Sequence, residues 1–134
     1  MTVRVVRDQQ AALRHVIHVG AHSFPTDLGA AEGGEGSGPT PHDLYDAALG
    51  ACTALTVLWH AQHKQIPVIG IEVSVERDAS QERAGIYRLS AVLSLTGDLS
   101  AAQRQDLLRV AQKCPIHKLM TEVTTEISTT LSRS

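Results

Sequence analysis

The 134-residue sequence predicts an α+β domain with mostly antiparallel pairing, and three observations carry that expectation. Short alternating segments fill the first 28 residues. A single long helical stretch, apolar on nearly every side, occupies the middle. Two further alternating segments then precede a second, shorter helix and a last alternating run. The length fits one domain spanning residues 1–134, and there is no internal repeat.

The first strands are expected at Val3–Arg7 and Arg14–Val19. In the second, His15, Ile17 and Val19 share one face, with Arg14, Val16 and His18 on the other. A further short strand is expected near Phe24–Leu28. The stretch Ala30–Thr40 (AAEGGEGSGPT) has no apolar period and reads as a mobile loop, long enough to act as a site lid. It is not a phosphate cradle, because no strand feeds it, no GK[ST] ends it and its two acids would repel phosphate.

The central helix is expected from Pro41 to about Lys64. Thr40 is the N-cap candidate, Pro41 suits the first helical position, and Asp43 lies where the helix dipole favours an acid. Leu44, Ala47, Ala48, Ala51, Leu55 and Leu58 follow helical spacing, and apolar residues surround most of the helix, so burial on most sides is expected. Gly50 and its neighbouring alanines leave room for another element to come close.

Pro67 and Gly70 end that stretch. Ile71, Val73 and Val75 alternate with Glu72, Ser74 and Glu76, and Tyr87–Thr96 places Leu89, Ala91, Leu93 and Leu95 on one face, giving a hairpin with a long connection. Ser100 is the N-cap candidate of a helix Ala101–Lys113, which Pro115 closes. Val123, Thr125 and Ile127 give the last strand.

Composition excludes several classes of function. Apolar residues make up 43% and charged residues 19%, which is globular rather than disordered. A net charge of −2 without a basic cluster argues against nucleic acid. No apolar run approaches the ~20 residues of a membrane span, and the start MTVRVVRDQQ has no signal-peptide character, so a cytoplasmic location without membrane association is expected.

Two cysteines bear on chemistry. Cys52 sits within the central helix, on one face with Ala48, Leu55 and Trp59, where a thiol in apolar surroundings is ordinarily inert. Cys114 stands at a helix end beside Pro115, near Lys113, His117 and Lys118. Either can be a small buried hydrophobe. Together they are the minimum set for peroxide chemistry, in which one thiolate becomes a sulfenic acid and a second thiol condenses with it. Their meeting requires Cα atoms within about 7 Å. His60 and His63 share a helical face, but no CxxC or HExxH stands beside them, so neither a metal site nor a cofactor is expected.

Gly38-Pro39-Thr40-Pro41-His42-Asp43-Leu44, continuing as Ala47-Ala48-Leu49-Gly50-Ala51-Cys52-Thr53-Ala54, resembles the OsmC/Ohr family of organic hydroperoxide reductases. So do Gly97-Asp98-Leu99 and Lys113-Cys114-Pro115-Ile116-His117, with the general OsmC-like branch the nearest. The resemblance implies that Cys52 is the peroxidatic cysteine and Cys114 the resolving one, in an intertwined homodimer with sites at the subunit interface. The family's supporting Glu falls on His42 with Asp43 next to it, and its supporting Arg has no counterpart in Ala30–Thr40. Unbroken helix from His42 to Cys52 would separate the two by roughly 15 Å, so a contact within one subunit would need a later helix start.

The expected activity is reduction of organic hydroperoxides through a Cys52 sulfenate and a Cys52–Cys114 disulfide, recycled by an external dithiol, with substrate against Leu55 and Trp59. The rival expectation is a non-catalytic redox-sensing or small-ligand-binding dimer.

Overall fold

A computed structural model describes residues 1–133 and divides the chain into two compact units, Met1–Ala47 and Ala48 onward. The first unit holds a three-stranded antiparallel sheet in the order β1 (Val3–Arg7), β2 (His15–Val19), β3 (His22–Thr26). Val5 pairs with Ile17, and Ile17 with Phe24, so apolar side chains meet across the ladder. Gly20 turns β2 into β3 at a φ of 58°, a left-handed conformation that favours glycine.

The glycine-rich stretch after β3 is not the mobile loop that its composition suggested. It carries a 3₁₀ turn at Ala30–Glu32 and folds around Asp27, which is only 3% exposed. The Asp27 carboxylate accepts the backbone N–H groups of Leu28 (2.8 Å), Glu35 (3.2 Å) and Ser37 (3.2 Å). It also accepts the Ser37 hydroxyl at 2.6 Å. The Ser37 hydroxyl, then burial opposing it and the backbone donors, set the Asp27 carboxyl at about 2, well below the carboxylate range. Glycine is required where the loop closes: a Cβ on Gly34 would collide with the Leu28 carbonyl, and one on Gly38 would lie 2.6 Å from the Pro25 carbonyl oxygen. Composition alone therefore misreads this loop, because its order comes from one buried acid that gathers four donors.

Helix α1 (Pro41–His63) starts where expected. Asp43 N–H donates to Thr40 Oγ1 (3.1 Å), and Thr40 N–H donates back to the Asp43 carboxylate (2.9 Å), a reciprocal cap.

In the second unit the rest of α1 accompanies a two-stranded antiparallel sheet, β4 (Val68–Asp78) and β5 (Arg88–Gly97). Val73 pairs with Leu93 and Ile71 with Leu95, so alternate side chains form one apolar face. Helix α2 (Ala101–Ala111) opens with Ser100 and Gln103 capping each other. Val57 and Ala61 of α1 and Leu107 and Ala111 of α2 form the core, and Ile66, Val68, Ile71, Leu93 and Leu95 pack on it. Gly50 lets α1 come close to β4: a Cβ there would stand 3.3 Å from Val75 Cγ2.

Burial of α1 is one-sided within the chain. Leu49, Thr53, Val57 and Ala61 face inward, whereas Leu55 and Trp59 are 69% and 60% exposed. Two elements differ from expectation near the C-terminus. Pro115 does not merely close α2; it opens α3 (Pro115–Thr121), because a proline lacking N–H suits a first helical position. The expected strand at Val123–Ile127 does not form. These residues have no ladder partner among the described residues, and Val123 and Ile127 are exposed.

Candidate functional site: two thiols at the start of α3

Both cysteines lie in the second unit as free thiols, Cys52 half-buried and Cys114 fully buried. Cys52 comes from the middle of α1, and Cys114 is the N-cap of α3 in extended conformation.

An α-helix leaves its first N–H groups without intrahelical partners. In α3, Pro115 has none to offer. The next, of Ile116, donates to Cys52 Sγ at 3.5 Å, and the next after that, of His117, donates to Cys114 Sγ at 3.4 Å. Lys118 N–H reaches the Cys114 carbonyl at 3.2 Å. The two sulfurs, 62 residues apart in sequence, thus take consecutive donors of one helical turn.

From the side of α1, two threonines approach the same atoms. Thr56 Oγ1 is 3.8 Å from Cys52 Sγ, and Thr53 Oγ1 is 3.6 Å from Cys114 Sγ. Thr53 is 4% exposed and gives its own hydrogen to the Leu49 carbonyl at 2.8 Å. A cavity of about 190 Å³ adjoins Thr53 and His117, walled by Val73, Leu93 and Leu108 and bordered by Gln112.

Cys114 has Thr53 Oγ1 and the His117 N–H against its sulfur and is sealed from solvent, while Cys52 is the sulfur that an outside molecule can approach. The structure brings Cys52 and Cys114 to one turn. His42 and Asp43 belong to the first turn of α1, which runs from Pro41 to His63. Asp43 is engaged in the Thr40 cap. Arg14 of β2's approach is bound to Asp8 through Nε (3.0 Å) and Nη2 (2.9 Å), and its Nη1 donates to Ser37.

The histidines of α1 are engaged elsewhere. His60 Nε2 lies 2.9 Å from Asp106 Oδ2, and this contact, followed by Arg109, holds the Asp106 carboxyl below its ordinary value. His63 stacks on Trp59 with ring centroids 3.8 Å apart. Among the described residues no group of three or more His, Cys, Asp or Glu side chains is placed to hold a metal ion. No helix among them is long and apolar enough to cross a membrane.

Sequence reasoning named Thr53, Ile116 and His117 but missed their contacts to the two sulfurs. The signal that could have found the last two is the Cys-Pro step itself, since Pro at a first helical position implies free N–H groups immediately after it.

Solved structures of other proteins share this fold. A solved organic hydroperoxide resistance protein, OhrB of Bacillus subtilis, is 25% identical over 91% of this chain and 92% of its own, with a TM-score of 0.58. An OsmC-like protein from Mycoplasma pneumoniae is 16% identical over 91% of this chain and 87% of its own, with a TM-score of 0.72. A protein from Psychrobacter arcticus described as a putative osmotic stress induced and detoxification response protein is 22% identical over 88% and 86%, with a TM-score of 0.68. No curated protein sequence matches the chain. A model of the OsmC family, described as OsmC-like protein, matches residues 34–129, and so the chain belongs to the OsmC/Ohr family.

Proposed function

We propose that the protein is a thiol-dependent peroxidase that reduces organic hydroperoxides, with Cys52 attacking and Cys114 resolving. The observation that carries this reading is the placement of both sulfurs on consecutive N–H donors of α3, one approachable and the other sealed. The Ile116 N–H gives a Cys52 thiolate a hydrogen-bond donor. Attack on the peroxide transfers one oxygen to Cys52 as a sulfenic acid and releases the alcohol. The Cys114 thiol then attacks the Cys52 sulfur, the S–O bond breaks, and hydroxide leaves with the thiol proton as water. An external dithiol reduces the resulting disulfide by exchange. No cofactor takes part.

The hydroperoxide resistance proteins among the solved relatives support the substrate class. The exposed Leu55 and Trp59 beside Cys52 on α1 suit an alkyl or aryl group better than hydrogen peroxide. The same apolar stripe, with Val123–Ile127, which form no ladder among the described residues, supports a homodimer, intertwined where those residues find a strand partner in the second copy. We take residues 1–134 as one OsmC-like domain of a cytoplasmic protein. Asp43 serves the site through the helix it caps, and His42 acts at a sulfur only across the dimer interface.

The test is stopped-flow mixing of the reduced protein with cumene hydroperoxide. Cys52→Ser should abolish peroxide consumption. Cys114→Ser should complete one turnover and leave a sulfenate on Cys52 that dimedone traps. Label on Cys114 in the Cys52→Ser protein would reverse the assignment, and parent-like consumption by both variants would refute the enzyme reading. A redox-sensing or ligand-binding dimer is the second reading. It is favoured by the engagement of Asp43 in a cap and of Arg14 with Asp8, which leaves neither charge uncommitted.

A further inference from the structure

We propose that Thr53 is a positioning residue that sets the thiol–disulfide balance of Cys52 and Cys114 by holding Cys114 as a thiol. The inference rests on the disulfide of the proposed reaction, but its test needs no peroxide.

A hydroxyl has one hydrogen. That of Thr53 goes to the Leu49 carbonyl at 2.8 Å, the shorter and stronger of its two contacts. Toward Cys114 Sγ, at 3.6 Å, Thr53 therefore presents a lone pair. A thiol suits that position, because its S–H can point at the oxygen while the sulfur accepts the His117 N–H. Both Thr53 and Cys114 are buried, at 4% and 0% exposure.

A disulfide sulfur has no hydrogen to give. When Cys114 joins Cys52, the Thr53 lone pair loses its donor while the bond to Leu49 persists. The S–H···O contact exists in the dithiol state alone, and it favours that state. Thr53 thereby makes the disulfide easier for the external dithiol to reduce. The reduction is an exchange: the protein S–S bond breaks, two S–H bonds form, and the electrons come from the dithiol, which is oxidised to its own disulfide.

The experiment equilibrates full-length parent, Thr53→Val and Thr53→Ser proteins in buffers of reduced and oxidised dithiothreitol. Acid quench and alkylation then count the protein thiols. Thr53→Val keeps the shape and removes the acceptor. It should shift the equilibrium constant toward the disulfide by about threefold, roughly 14 mV for this two-electron couple. Thr53→Ser restores the hydroxyl and should match the parent. Should Thr53→Val fail to fold, Thr53→Ala should shift in the same direction. An unchanged equilibrium in Thr53→Val, a shift toward the dithiol, or an equal shift in Thr53→Ser would overturn the inference. The last would assign the effect to packing of the methyl group. A parent that forms no Cys52–Cys114 disulfide under oxidised dithiothreitol would refute the proposed function, and this inference with it.

Discussion

The two thiols differ in how an alkylating reagent reaches them, and that difference can be put on a scale. N-ethylmaleimide can approach the half-buried Cys52 directly, whereas Cys114 has no exposed surface and reacts only after the first turn of α3 opens. Such opening breaks the His117 N–H and Thr53 contacts to Cys114 and the Ile116 N–H contact to Cys52. Taking ~0.5 kcal/mol for each weak sulfur contact and ~1.5 kcal/mol for exposing the Cys114 side chain gives about 3 kcal/mol. At 1.4 kcal/mol per decade, that protects Cys114 by roughly a hundredfold. The assay is timed quenching of the native protein followed by peptide mass mapping. Rates in denaturant correct for any intrinsic difference between the two thiols. Corrected native rates within threefold of each other, or faster labelling of Cys114, would refute the accessibility argument on which the assignment of attack to Cys52 stands.

Other perturbations test the frame around the site. Leu107 is fully buried in the core with Val57 and Ala61, so Leu107→Ala should cost about 2–5 kcal/mol, read as a lower urea midpoint at unchanged m-value. Asp27 has its carboxyl at about 2, below its ordinary 3.8. Its contribution is therefore complete above pH 3.8 and lost as pH falls through about 2, so acid titration of Asp27→Asn should be flatter than the parent's over that window. Gly34→Ala drives a Cβ into the Leu28 carbonyl and should lower Tm and speed proteolysis between Ala30 and Thr40, whereas Gly36→Ala, with open space around it and φ at 63°, should cost only ~1 kcal/mol. Ser100→Ala removes the acceptor of the Gln103 N–H and should cost ~1 kcal/mol by urea unfolding.

Where a sequence signal was local, it survived. The alternation of His15, Ile17 and Val19 marks a real strand, and Thr40 with Asp43, like Ser100 before α2, caps its helix as side-chain chemistry requires. The failures came where one residue admits two readings. Pro115 is compatible with a helix end and a helix start, and Cys114 is an unusual enough N-cap that the second reading drew no support from it. The loop after β3 looked featureless because its organiser, Asp27, precedes it in sequence and contributes a single carboxylate. Val123–Ile127 has the alternation of a strand, but pairing is a property of two segments, and no second one stands beside it among the described residues.

The site shows the same division in sharper form. Its sulfurs were legible as residues, and their family-implied roles as well. What distinguishes one thiol from the other was not, because those distinctions are made largely by backbone atoms. Ile116 and His117 serve Cys52 and Cys114 through N–H groups that any residue except proline would supply, so their side chains carry no trace of the task. Proline at 115 matters for what it withholds: it removes the first donor, and the next two fall to the two sulfurs. Thr53 is the exception, a side chain whose contribution depends on where its one hydrogen goes, and that is decided by a carbonyl four residues back in the same helix. A redox site of this kind is built by the start of a short helix meeting the middle of a long one. The residues that tune it are those whose donors and acceptors are already partly committed.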